Sequence, residues 1–180
     1  EEFNSIWLAP VESWEELATH PSIEAPFRRK PPYQRVVGDE RDPKRAAFAA
    51  DCDAFAALVA ERYFALSSAA IKAADPNHLV LGCRFAYVPP ASIVRAAGQY
   101  CDVISFNCYD FDPSASIDSY VIGGKPCLIG EFSFRSADSG LPNSNGAGPL
   151  VATQAERAHC FRRYVSAAIR RPAVVGYHWF

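Results

Sequence analysis

The stretch Lys125-Pro126-Cys127-Leu128-Ile129-Gly130-Glu131-Phe132 carries an apolar run into a glycine and then a carboxylate. A glutamate at the end of a buried strand costs desolvation energy unless its charge is used or paired there. The C-terminal end of a parallel strand is also where barrel enzymes hold their nucleophiles and general acids. Three further apolar runs close on polar or aromatic residues. Residues 79–85 end with Arg84, 102–109 with Asn107 and Tyr109, and 173–180 with His178 and Trp179. Gathered on one face, these groups have coherent chemistry. The Glu131 carboxylate attacks an electrophilic carbon and the Tyr109 hydroxyl holds it in place. Arg84, Asn107 and His178 contact hydroxyls, and Trp179 offers a flat apolar floor to a sugar ring.

Each member also has a plainer role. Tyr109 and Trp179 taken singly fit a core as well as a platform. His178 fits a satisfied structural histidine, and Arg84 fits a simple ion pair with Glu131. Glu131 is the hardest to explain in that way, because buried carboxylates seldom stand without a partner or a task.

The elements that must position these residues read as follows. Ser13-Trp14-Glu15-Glu16-Leu17 resembles a short helix start, with Ser13 and Glu16 as a capping box. Residues 20–43 are rich in proline and charge and read as an irregular connection. Asp42-Pro43 opens a long helix that ends near Asp75-Pro76. Its apolar stripe, Phe48, Cys52, Phe55, Val59, Leu66 and Ala70 with Arg62 as the break, is expected to be the packed face. Strands are expected at 79–85, 102–109, 127–132 and 173–180. Helices are expected between them at 91–98, 116–122 and 153–170, the last opened by a Thr153/Glu156 capping box. Nearly continuous hydrophobic strands alternating with helices make the α/β pattern of a parallel sheet. A doubly wound sheet is disfavoured because no Gly-x-Gly-x-x-Gly turn follows a strand. A (β/α)8 barrel typically needs about 250 residues, so four strands make roughly half of one.

The chain has 180 residues, 49% of them apolar, which is ample for one hydrophobic core. Net charge is −2, and Phe27-Arg28-Arg29-Lys30 is the only tight basic cluster, which speaks against nucleic acid as a partner. No apolar stretch approaches a membrane span and no secretory signal is present, so no membrane partner is expected. Six cysteines without C-x-x-C spacing read as buried free thiols, and no metal or other cofactor is implied. The chain begins with Glu1, lacks methionine, and ends inside an apolar run at Phe180. It is therefore expected to be a piece of something larger.

Residues 102–109, with Asn107-Cys108-Tyr109, resemble the sixth barrel strand of retaining clan A glycoside hydrolases, where the tyrosine lies against the nucleophile. Lys125-Pro126 through Gly130-Glu131-Phe132 resembles the seventh strand, whose glutamate is that nucleophile. Val174 through Phe180 resembles the eighth, with its tryptophan under the sugar. Asn4-x-x-Trp7 with Ser13-Trp14-Glu15-Glu16-Leu17 is similar to the segment after the fourth strand in β-galactosidase and agarase-like members. The loop Ser139-Gly140-Leu141-Pro142-Asn143 is most similar to the agarase type.

The resemblance implies an α/β fold, a (β/α)8 TIM barrel of which residues 1–180 are the C-terminal half, strands 5 to 8, truncated at both ends. It implies a fragment of a retaining β-glycosidase. Such an enzyme hydrolyses β-linked galactose- or glucose-containing oligo- or polysaccharide by double displacement. The implied roles are Glu131 as nucleophile, Tyr109 as its orienting residue, and Arg84, Asn107, His178 and Trp179 as substrate contacts. In clan A the acid/base glutamate follows an asparagine, and no Asn-Glu dipeptide occurs here. The isolated chain is thus expected to be inactive, its acid lying upstream of Glu1. The rival expectation is a non-catalytic carbohydrate-binding barrel in which Glu131 accepts a hydrogen bond from a hydroxyl. Only the resemblance bears on localisation, where it implies export.

Overall fold

The computed structural model describes residues 43–141 and 146–180, together with Ser13 and Glu15. The expected capping box at Ser13 and Glu16, the Asp42 cap, residues 20–42 and the end of the 139–143 loop lie outside the described residues, although Glu15 itself is helical. The chain divides into two units, residues 1–55 and 56–180. The elements below that concern function belong to the second.

Helix α1, Pro43–Ala74, starts at the expected proline, whose φ is already helical and whose missing N–H is not needed there. It ends before Asp75-Pro76, where Asp75 Oδ1 accepts from the backbone N–H groups of Asn77 and His78 at 3.1 and 3.3 Å. The face it buries is not the expected one. Ala60, Phe64 and Ser68 are buried, whereas Phe55, Val59 and Leu66 of the expected stripe are more than half exposed. The helix carries apolar residues on two faces. Small residues at 60 and 68 let the backbone approach and seat the Phe64 ring, which meets Phe85 at 6.2 Å. Ala50–Ala74 is also long and apolar enough, by length and composition alone, to cross a membrane, with a mean hydropathy of 1.3. The sequence reading expected no such stretch, because its alanines raise hydropathy without forming a run of large apolar side chains.

Helix α2 is Ala91–Tyr100, β1 Ile104–Asn107, α3 Ser114–Val121 and β2 Cys127–Phe132. The short β3, Arg135–Ser136, and β4, Leu150–Val151, precede α4, Gln154–Ile169, and β5, Val174–Trp179. Strands β1, β2 and β5 form one parallel sheet in that order. On the far side of β1, residue Phe85 makes a parallel bridge to Phe106.

That bridge is what remains of the strand expected at 79–85. Gly82 adopts a left-handed φ of +68°, and a Cβ there would lie 2.8 Å from Cys101 Sγ. The backbone kinks against Cys101, and Val80 bonds to the turn before β1 instead of to a ladder. The Val80 N–H donates to Asp102 Oδ2 at 2.8 Å, and its carbonyl accepts from Asp102 and Val103. Beyond the kink, Phe85 N–H donates to the Ser105 carbonyl and Asn107 N–H to the Phe85 carbonyl, at 3.0 and 2.7 Å.

The helices cover one sheet face through aromatic stacks. Phe106 stacks on Tyr120 of α3 at 4.2 Å and 12°, and Phe132 on Tyr164 of α4 at 4.2 Å and 2°. All four rings are buried, and each such pair contributes about 0.5–1.5 kcal/mol beyond its area. Their hydroxyls are satisfied: Tyr120 donates to the Tyr87 carbonyl at 3.0 Å and Tyr164 to the Cys108 carbonyl at 2.8 Å. The expected capping box opens α4, with Glu156 N–H donating to Thr153 Oγ1 at 3.1 Å and Thr153 N–H to Glu156 Oε2 at 3.3 Å. All six cysteines are free thiols. Cys101, Cys108 and Cys127 are buried, whereas Cys52 is exposed. Burial pushes the Cys127 thiol up to about 11.

Candidate active site

β2 carries one residue more than its neighbour. Phe106 pairs with Ile129 and Asn107 with Glu131, so Gly130 is the extra residue of a bulge. A bulge re-aims the side chains that follow it. Here it sets Glu131 beside Asn107, on the sheet face opposite Phe106 and Phe132. Strand alternation then separates chemistry from core, because successive side chains point to opposite faces.

Glu131 is enclosed by donors. Its Oε2 accepts from Asn107 Nδ2 at 2.8 Å and from the Tyr109 hydroxyl at 2.7 Å. Its Oε1 pairs with a terminal guanidinium nitrogen of Arg84 at 2.7 Å. The Glu131 side chain is 13% exposed and that of Arg84 53%. Charge-assisted hydrogen bonds of this kind are roughly twice as strong as neutral ones. Desolvation by burial, then the hydrogen bond and charge of Glu131, push the Tyr109 hydroxyl well above its ordinary value, and Arg84 opposes this weakly. Tyr109 is therefore held in its donor form. Since a carboxylate only accepts, Asn107 must turn its amide NH2 to Glu131. That leaves Asn107 Oδ1 as a buried acceptor with no donor among the described residues.

The structure thus brings together Arg84, Asn107, Tyr109 and Glu131, from the segment beside β1, the end of β1, the residues after it, and β2. His178 follows on the same face by alternation. A Cβ at Gly176, two residues earlier, would meet Leu128 at 3.1 Å, and Leu128 pairs with Ser105, two residues before Asn107.

Trp179 is not brought to this cluster. With Tyr177 it points to the helix side, where its ring meets Phe132 edge-on at 5.2 Å and Phe161 of α4 at 5.4 Å. The Arg157 guanidinium lies over that ring at 5.1 Å. Trp179 lines an open groove of about 420 Å³ with Gln154, Arg157, Ala158, Phe161 and Arg162. That groove lies on α4, away from the carboxylate. The expectation of a Trp179 floor beside Glu131 is corrected by strand parity: Tyr177 and Trp179 share a face, and that face packs on α4.

The aromatic that does meet the cluster was missed. Phe180 stands edge-to-face with Tyr109 at 6.2 Å, and its N–H donates to the Phe132 carbonyl at 3.0 Å. The signal lay in alternation along β5, which returns the residue after Trp179 to the face of His178. The small parallel pair β3–β4 was missed as well, because two-residue strands leave no periodicity. Ser133 and Phe134, between β2 and this pair, line a second pocket of about 110 Å³ with Arg135 and Ser136 of β3 and with Phe180. Among the described residues no three His, Cys, Asp or Glu side chains converge to hold a metal ion.

The chain is similar to two curated β-agarases. β-Agarase B of Vibrio sp. (strain JT0107) is 32% identical over 183 residues, and β-agarase A of the same organism 34% over 188 residues. Its homologues are β-agarases. These are glycoside hydrolases, and the chain spans 17% of the length of the curated relatives it matches. Among solved structures, an exo-β-agarase superposes with a TM-score of 0.74 at 29% identity, over 99% of this chain and 22% of that one. Another agarase superposes with a TM-score of 0.70 at 29% identity, over 99% of this chain and 23% of the other. No protein-family model matches the chain.

Proposed function

We propose that this chain is the C-terminal part of the catalytic (β/α)8 barrel of a retaining glycosidase acting on a β-linked galactose polysaccharide. The observation that supports this best is Glu131, nearly buried at a parallel strand end with Arg84, Asn107 and Tyr109 all donating to it, in a chain whose homologues are β-agarases. Glu131 is the nucleophile. Its carboxylate forms a bond to the anomeric carbon while the bond from that carbon to the glycosidic oxygen breaks. The departing oxygen takes its proton from a carboxylic acid in the rest of the longer protein. Water then attacks the anomeric carbon, giving its proton back to that same acid group, and the bond to Glu131 breaks to release the sugar and restore the carboxylate. Tyr109 holds the carboxylate by hydrogen bonding, and Asn107 Oδ1 accepts from a sugar hydroxyl. His178 and Phe180 face the same space. The chain alone lacks the acid and is inactive towards unactivated glycosides.

Covalent trapping tests the reading. The full-length protein is incubated with a 2-deoxy-2-fluoro-β-galactoside and its gluco epimer, and the labelled peptide is mapped by mass spectrometry. Label on Glu131, and loss of turnover in Glu131→Gln, are the expected results. Sugar binding without any label moves the assignment to a non-catalytic carbohydrate-binding barrel.

A further inference from the structure

Resting on the nucleophile assignment above, the geometry points to attack through Oε1 of Glu131, the oxygen held by Arg84, with the bare backbone of Gly130 letting Arg84 set that oxygen.

The first part is an accounting of lone pairs. Each carboxylate oxygen offers two acceptor positions. Oε2 already takes two donors, Asn107 Nδ2 at 2.8 Å and the Tyr109 hydroxyl at 2.7 Å. Among the described residues Oε1 takes one, from Arg84 at 2.7 Å. Attack through Oε2 would break a hydrogen bond to a part-buried donor while the new bond forms. Attack through Oε1 uses the position left over and keeps every donor in place. In that step the Oε1 lone pair becomes the bond to the anomeric carbon. The electron pair of the broken glycosidic bond leaves with the departing oxygen, which is protonated by the acid of the longer protein. Arg84 remains on the same oxygen and Asn107 and Tyr109 on the other.

The second part concerns how Arg84 reaches Oε1. Its aliphatic stem lies directly on the bulge. A Cβ at residue 130 would clash with Arg84 Cδ, would sit 2.8 Å from Arg84 Cγ, and would lie 3.0 Å from Ser105 Oγ. Gly130 does not have the left-handed φ that demands glycine for conformational reasons, since the positive values fall at Gly82, Gly124, Gly140 and Gly148. Space is therefore what glycine supplies at 130. An alanine there is compatible with the backbone and displaces a flexible, half-exposed side chain. The fold survives and the aim of the guanidinium changes. Arg84 is a positioning residue acting through Glu131, and Gly130 acts through Arg84.

The test uses the full-length protein. A crystal structure of the 2-fluoro-glycosyl enzyme is expected to show the sugar on the oxygen nearest Arg84, with Asn107 and Tyr109 still bonded to the other. A sugar on the oxygen facing Asn107 and Tyr109, with their bonds lost, overturns the proposal. Kinetics test the role of Gly130. Gly130→Ala is expected to lower kcat by about tenfold with little change in KM, the scale of one misaligned charged hydrogen bond. Its unfolding midpoint should match the parent. In an Arg84→Ala background the same alanine should have no further effect, because both changes act on one contact. Additive losses in the double variant refute the link between Gly130 and Arg84. Absence of label on Glu131 in the parent protein is a different failure, since it removes the nucleophile assignment itself.

Discussion

Tyr109→Phe removes one oxygen and leaves the ring that meets Phe180. The lost hydroxyl sits 2.7 Å from Oε2 of a carboxylate that is 13% exposed. A hydrogen bond to a charged group contributes about 1.5–3 kcal/mol, which is about 10–150-fold in rate at roughly 1.4 kcal/mol per tenfold. The sign depends on the half-reaction. The bond is strongest when Glu131 carries its full negative charge, before attack and again as the glycosyl-enzyme releases it. Tyr109 therefore opposes formation of the intermediate slightly and favours its breakdown. With an activated aryl β-glycoside, whose first step is fast, Tyr109→Phe should lower kcat by about 10–150-fold while kcat/KM stays near the parent value. A burst of aryl release should precede the slow steady state. If kcat/KM falls as far as kcat and no burst appears, Tyr109 acts on the first step and the reasoning fails. An unchanged kcat would show that the hydrogen bond carries no charge-dependent energy.

Tyr164→Phe keeps the stack on Phe132 but leaves the buried Cys108 carbonyl without its donor, so stability should fall by about 1–3 kcal/mol; an unchanged denaturant midpoint would mean that water reaches that carbonyl. Desolvation pushes Tyr109, Tyr120 and Tyr164 upward, so a tyrosinate absorbance titration should show these three ionising later than the free-tyrosine value of about 10. Because their folded values are raised, their contribution to stability is whole below about pH 10 and is lost as pH rises towards the folded values. Ordinary titration of all eight tyrosines would contradict the burial that causes the shifts.

Much of the scaffold was legible because its signals are local. The Thr153/Glu156 capping box, the Pro43 helix start and the apolar run of β2 each depend on residues within a few positions, and each appears where expected. The strand at 79–85 was not, because one left-handed glycine against Cys101 reduces it to a bridge. A glycine's conformation is not written in its neighbours' hydrophobicity.

The sequence by itself determined which residue types stand at the strand ends, and so that a carboxylate, a tyrosine, an asparagine and an arginine belong to one site. Strand period and chain order are short-range properties, and a parallel sheet in sequential order carries such ends to one edge. Tertiary structure alone decided which face each aromatic takes and which stripe of α1 is buried. Trp179 turns to α4 and Phe180 to Tyr109 because Phe132, Phe161 and Tyr164 have already occupied one side of the sheet. α1 buries Phe64 instead of Val59 because small residues flank Phe64 where the helix meets the core. Only the bulge at Gly130 turns Glu131 towards three donors. Bulges and packing faces depend on contacts between residues tens of positions apart, and pattern along the chain does not contain them.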